Sequence, residues 1–315
     1  YFEVHGERFA DVDLWLFCDG PVHQSRRPQV VYGVRGVTGL EVTVYGASRP
    51  LHSGHYGNWA PVPGQMLAEL IASMKAPDGE VLIEGFYDSV DPLTAAEQAA
   101  IDALPLVDEP LKHELALART EGGGERLERR LTLPSLTVRG LSSGNVGEKA
   151  RNVIPSSATA SLGVRLVRGN NPARMLDLVE AHIASRGYHI VREDPDVETL
   201  RAHTRVAKVT RGVGYPASRA SMDHPLAQRV VDIAGAAGAD AGRHPAGVLV
   251  RAGARYAGNH RAYCQPRQQP ARGRREYSYC QPLVRHRSVC RVVDHVTGRG
   301  HWSSAGRVTR RRKAA

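Results

Sequence analysis

An alternating apolar segment at residues 40–45 runs into Leu51-His52-Ser53-Gly54-His55-Tyr56-Gly57, and here the chain could do chemistry. A strand ending in a glycine-rich turn presents an imidazole rigidly. The glycines allow a tight turn and close approach, and the strand fixes where the ring points. Taken alone, the same turn also reads as an ordinary exposed turn holding a histidine. Two more stretches set polar groups beside regular elements. Upstream, Cys18-Asp19-Gly20-Pro21 puts a carboxylate directly after an apolar run; downstream, Asn152-Val153-Ile154-Pro155 leads to Arg165. Each has a bland alternative: Asp-Gly-Pro as a polar turn, Asn152 as an Asx turn, Arg165 as a surface charge at a strand end.

The elements that must position these groups follow from periodicity. Residues 13–18 read as a buried strand of a parallel sheet covered on both faces, which sets Asp19 at the carboxyl end where ligands collect in α/β sheets. Apolar residues at Met66, Leu67, Leu70, Ile71 and Met74 predict a helix over 62–75. Met175, Leu176, Leu178, Val179 and Ile183 predict another over 173–185. Strands are expected at 41–45, 135–138, 158–166 and 188–191, and Glu121-Gly122-Gly123-Gly124 as a flexible connector. The reading is an α+β insertion at about 36–215, placed between two pieces of an α/β domain at 1–35 and 216–245. A helix is expected over 226–237 within the second piece.

Composition narrows the class. A 315-residue chain that is 42% hydrophobic suits two domains, and no apolar run approaches the ~20 residues of a membrane span. Tyr1 is not an initiator Met, so an upstream segment is expected. Cys18, Cys264, Cys280 and Cys290 lack metal or disulfide spacing, which favours reduced thiols and a cytoplasmic protein. The net charge of +10 is uneven: residues 251–315 carry 15 Arg and one Lys against Glu276 and Asp294, a net +14, which leaves −4 for the rest.

Taken in order, Asp19 through Gln24, Tyr32-Gly33-Val34-Arg35-Gly36, the His52 turn, Gly85-Phe86-Tyr87-Asp88, Asn152 to Pro155 and Arg165-Leu166-Val167 form one set. Together they resemble the zinc-dependent metallopeptidases that include carnosinase-like dipeptidases, succinyl-diaminopimelate desuccinylase and aminoacylases. The dipeptidase branch is the best match, over about residues 1–240. The resemblance implies a two-layer lid inserted in a di-zinc α/β peptidase domain, a homodimer through that lid, and hydrolysis of dipeptides or N-acyl amino acids. It implies that Asp19 binds one of two zinc ions, where paired metals activate water and polarise the scissile carbonyl. His52 would bind no metal; from the lid, often of the partner subunit, it would stabilise the oxyanion of the tetrahedral intermediate. Asn152 would clamp substrate, and Arg165 would grip its carboxylate with a planar fork. Asn58 departs from the glycine that usually follows Gly57 in this family.

Other parts of the family pattern have no counterpart here. A His-x-Asp pair, a bridging Asp and a Glu-Glu pair belong upstream of the Asp19 strand, and only eighteen residues precede Asp19. A final His ligand belongs in a C-terminal Asn- and His-rich segment. Read one nucleotide later, the codons of residues 262–272 permit a peptide of that kind. A frame change between about residues 243 and 250 would therefore leave 246–315 an Arg-rich, disordered missense tail, and the chain a catalytically inactive remnant. The rival is a nucleic-acid-binding protein acting through that tail, whose 16 cationic side chains interleave with Tyr256, Tyr263, Tyr277, Tyr279 and Trp302. No repeat or recognisable binding motif accompanies them, so nucleic acid is the less favoured partner.

Overall fold

Alternation builds the sheet that dominates the fold. Leu40, Val42 and Val44 are buried on one side of their strand while Glu41, Thr43 and Tyr45 are not, as a period of two requires. The structure, a computed structural model, describes residues 14–17, 29–239 and 247–252, with side chains over 30–234. It divides into two compact units. One comprises Gln24–Arg26 and Val31–Met222; the other comprises Tyr1–His23, Arg27–Val30 and Asp223–Ala315.

In chain order the described elements begin with β1 (Leu14–Phe17), β2 (Gln29–Val31), β3 (Gly33–Val34), β4 (Gly36–Tyr45) and β5 (Leu51–His52). Five helices follow: α1 (Ser53–Tyr56), α2 (Pro63–Ala72), α3 (Ala95–Asp102), α4 (Asp108–Glu114) and α5 (Leu127–Arg130). Next come β6 (Ser135–Ser142), β7 (Val153–Ile154), β8 (Ser157–Leu166), α6 (Pro172–Ser185) and β9 (His189–Val191). The series closes with α7 (Val197–Ala202), β10 (Val206–Arg211), β11 (Ser218–Arg219), α8 (Pro225–Ala239) and β12 (Gly247–Ala252).

The larger unit is a two-layer α/β arrangement. Its five-stranded sheet has the order β6-β8-β4-β10-β9, antiparallel except for β9 beside β10. Helices α2 and α6 lie on one face, and Leu67, Leu70, Met175, Val179 and Ile183 bury against Leu40, Val42, Val44, Leu162 and Val164. Each such side chain contributes roughly 1.5–3 kcal/mol of transfer free energy. Both helices begin with Pro just inside the first turn, where its missing N–H costs nothing, and Asn171 caps α6 through Ala173 N and Arg174 N. An ion-pair network pins α6 to the sheet: Glu180 accepts from both Nη atoms of Arg192 and from Arg211 Nε, each at 2.7 Å. Phe86 of the Gly85-Phe86-Tyr87-Asp88 motif is core, and Tyr87 Oη accepts from Val81 N, so that motif is structural.

Three expectations need correction in this unit. The connector at residues 121–124 is tied down, because Gly122 N donates to Asp78 O at 2.7 Å and Lys75 pairs with Glu121. Helices α3, α4 and α5 were not expected; α3 is set by a capping box, Thr94 with Glu97. The chain also stays with this unit through β11, which pairs with β3.

In the second unit β12 lies between β1 and β2, and α8 packs against β12. β1 pairs antiparallel with β12, Leu14 opposite Ala252 and Phe17 opposite Leu249, which corrects the parallel sheet expected from its apolar run. An unbroken apolar run shows that both faces are covered but does not fix the partner's direction. The strand at Gly247–Ala252 likewise corrects the expectation that the tail is unstructured from its start: Val248, Leu249 and Val250 are strand formers. Residues 253–315, the body of that tail, lie outside the described residues. Among the described residues no helix is long and apolar enough to cross a membrane.

Candidate active site

The ladder between β5 and β7 builds one end of the site. Leu51 pairs with Ile154 and His52 with Val153, and Ser53 N donates to Asn152 O at 3.0 Å. His52 and Asn152, distant in sequence, thus become exposed neighbours, and the Asn152 side chain makes no hydrogen bond among the described residues. His52 also caps α1, its Nδ1 accepting from Gly54 N at 3.1 Å. With Nδ1 used as an acceptor, the neutral ring carries its proton on Nε2, and that N–H points away from the cap as a donor.

The turn's sequence makes this possible. A Cβ on Gly54 would lie 3.0 Å from His52 Cε1 and 3.2 Å from Nδ1, so a side chain there would push the ring aside by a few tenths of an ångström. Asn58 has φ of 61°, the left-handed region that glycine and asparagine share. Its departure from the family glycine therefore keeps the backbone. His55 stacks on His52, with centroids 4.6 Å apart and planes at 29°, and Tyr56 and Trp59 continue the aromatic run. The three-residue spacing of His52 and His55, which sets both on one side of a helical turn, is the sequence signal for this second imidazole.

Arg165 stands elsewhere. It is an exposed residue of β8, opposite Val37 of β4 on one side and Ser135 of β6 on the other. Strand β8 runs from Ser157, beside the His52 end, to Leu166, beside the Arg165 end. At about 3.3 Å per residue, roughly 26 Å separates Ser157 from Arg165. Within one chain the structure joins His52 with Asn152 and holds Arg165 at the opposite end of the sheet. A third feature sits at that far end and had no assigned role: Arg35, whose Nη2 donates to Leu133 O at 2.8 Å and to Ser135 Oγ at 3.1 Å.

Asp19, the expected zinc ligand, lies outside the described residues. Among the described residues no three His, Cys, Asp or Glu side chains gather as a metal site requires. The described lid does not fit a two-zinc centre; it offers hydrogen-bond donors and a cation.

Residues 32–191 match the family model of the peptidase dimerisation domain, and the chain belongs to that family. It is similar to the Cys-Gly metallodipeptidase Dug1 of Schizosaccharomyces pombe, 29% identical over 177 residues that make up 56% of this chain and 37% of that protein. The β-Ala-His dipeptidase of Homo sapiens is 27% identical over 56% of this chain and 35% of that protein. Among solved structures, human carnosine dipeptidase 1 matches with a TM-score of 0.60 and 22% identity, over 80% of this chain and 50% of that one. The dipeptidase Dug1p of Saccharomyces cerevisiae matches at 0.57 and 20%, over 72% and 44%. The structural likenesses establish a shared fold. The chain spans little more than a third of the length of the curated relatives it matches.

Proposed function

We propose that this chain carries the lid of a cytoplasmic two-zinc dipeptidase, a homodimer acting on dipeptides or N-acyl amino acids. His52 supplies an oxyanion donor, Asn152 holds substrate, and Arg165 binds the substrate carboxylate. Asp19 is the zinc ligand this sequence provides. The separation of the two ends of β8 carries the reading. A dipeptide spans only about 7 Å, so one lid cannot place both His52 and Arg165 on it. Two lids can.

Strand β6 is one of the two edges of the sheet, and its Val138 and Leu141 are 42% and 59% exposed, an open apolar edge of the sort that pairs with another strand. If β6 pairs with the β6 of a second copy about a two-fold axis, the strands run antiparallel. The Ser142 end of one then meets the Ser135 end of the other. Ser142 lies opposite Thr159, toward His52, and Ser135 lies opposite Arg165. The donor end of each lid thereby comes within about three strand spacings, roughly 14 Å, of the arginine end of its partner, which two long side chains and a substrate can bridge. The Nε2–H of His52 is the kind of donor such a site needs, aimed at charge that develops in the transition state.

The 315 residues alone are proposed not to turn substrate over, since Asp19 is one ligand where two metals need several, and no general base accompanies it. The purified chain, supplied with zinc, should hydrolyse neither Cys-Gly nor β-Ala-His; turnover of either with stoichiometric zinc would refute this. The lid's role is tested by placing residues 31–222 in the frame of the Schizosaccharomyces pombe enzyme. Activity there that depends on His52 supports the reading, and a fully active His52→Ala graft refutes the oxyanion role.

A further inference from the structure

Arg35 sits within the Tyr32-Gly33-Val34-Arg35-Gly36 motif and is half-buried. Its Nη2 is anchored on Leu133 O and Ser135 Oγ. Its Nε is sealed from water and has no hydrogen-bond partner. Its Nη1 makes no hydrogen bond, and no carboxylate pairs with it, among the described residues. Arg165 is opposite the same Ser135 in the β6–β8 register and is likewise without an acidic partner among the described residues. Several other arginines near the sheet take acids, Arg192 and Arg211 on Glu180, Arg168 on Asp91 and Arg219 on Glu97, while Arg139 donates to Ser161 Oγ and Leu162 O. Arg35 on the Ser135 hydroxyl and Arg165 opposite Ser135 in the register thus lie in one neighbourhood with no acidic partner among the described residues. Burial, and then the like charge of Arg165, hold the Arg35 pKa below its ordinary value, so the pair is under electrostatic stress when empty.

We propose that Arg35 and Arg165 together bind one carboxylate, Arg35 forming the second cationic wall of the site; this rests on the role proposed for Arg165. The ligand class is the α-carboxylate of a short peptide or amino acid. An incoming carboxylate relieves the repulsion between the guanidinium groups, and its two oxygens match two donors. Arg35 is already fixed through Nη2, so little side-chain entropy is lost when its open Nη1 edge takes the ligand. Selectivity follows: a peptide amide, which lacks the negative charge, leaves the repulsion in place.

The test uses the full chain, 15N-labelled, with Nε–Hε signals of Arg35 and Arg165 assigned from Arg35→Lys and Arg165→Lys. Glycylglycine should shift both signals and glycylglycinamide neither. Arg35→Lys, which keeps the charge but not the fork, should weaken glycylglycine binding about tenfold while the Arg165 signal still responds. If Arg165 responds, Arg35 does not, and Arg35→Lys binds as tightly as the parent, then Arg35 is not part of the site and the role proposed for Arg165 stands. If neither signal moves, both assignments fail.

Discussion

At the scale of single residues, the proposed chemistry turns on where a ring proton sits. Gly54 N occupies His52 Nδ1, so the outward Nε2–H is set by a backbone contact rather than by another side chain. In the grafted enzyme, His52→Ala should lower turnover by about 10²–10³ with zinc content unchanged, the usual size of a lost oxyanion donor. Gly54→Ala should lower turnover by a smaller factor without unfolding the turn, because its Cβ, 3.0 Å from the ring, would shift His52 by a few tenths of an ångström. Steady-state kinetics with metal analysis checks both; a Gly54→Ala enzyme of normal turnover would mean the cap does not position His52. The types of His52, Asn152 and Arg165 and their place beside strands were legible in the sequence. Their grouping was not. It depends on β5 pairing with β7 and on which end of β8 each residue occupies, and register is a tertiary property that residue types do not carry.

At the scale of elements, strong periodicity was readable and weak periodicity was not. Strands β4 and β8 and helices α2 and α6 follow their apolar patterns closely. The start of β4 at Gly36 escaped because Gly36, Thr38 and Gly39 break the apolar alternation. Helix α3 has a face made largely of alanine, α4 contains Pro110, and α5 spans only Leu127–Arg130; each leans on capping or packing rather than on a stripe. The hold of α6 on the sheet predicts an acid effect. Burial by itself would raise the Glu180 pKa, but hydrogen bonds from Arg192 and Arg211, and their charges, bring it down to about 2. A carboxylate depressed below its unfolded value of about 4.3 stabilises the fold above that pH, and the contribution fades as pH falls through about 2. Glu180→Gln should therefore cost roughly 2 kcal/mol at neutral pH, allowing for solvent screening at the partly exposed arginines. The gap from the parent should close as the pH drops from about 4.3 toward 2, and urea titrations at several pH values measure it. A gap that stays constant with pH would show that the network is not holding α6.

At the scale of the whole molecule, the account requires two copies joined through β6. Replacing Val138 and Leu141 with Lys puts like charges along the edge and should leave a folded monomer by analytical ultracentrifugation; an unaffected dimer would place the interface elsewhere. The net +14 of residues 251–315 makes a separate prediction. Any binding to nucleic acid should be independent of sequence and fall steeply with salt, whereas selective binding that survives moderate salt would favour the rival function. The central claim is that His52 serves the partner's site while Arg165 serves its own. It is tested by mixing two grafted enzymes, one carrying His52→Ala and the other Arg165→Met. Random association makes half the dimers mixed, and in each of these one site has both residues intact, so the mixture should recover about a quarter of the parent activity while each variant alone is nearly inactive. A mixture no more active than its separate components would show that both residues act within one chain, and would contradict the account.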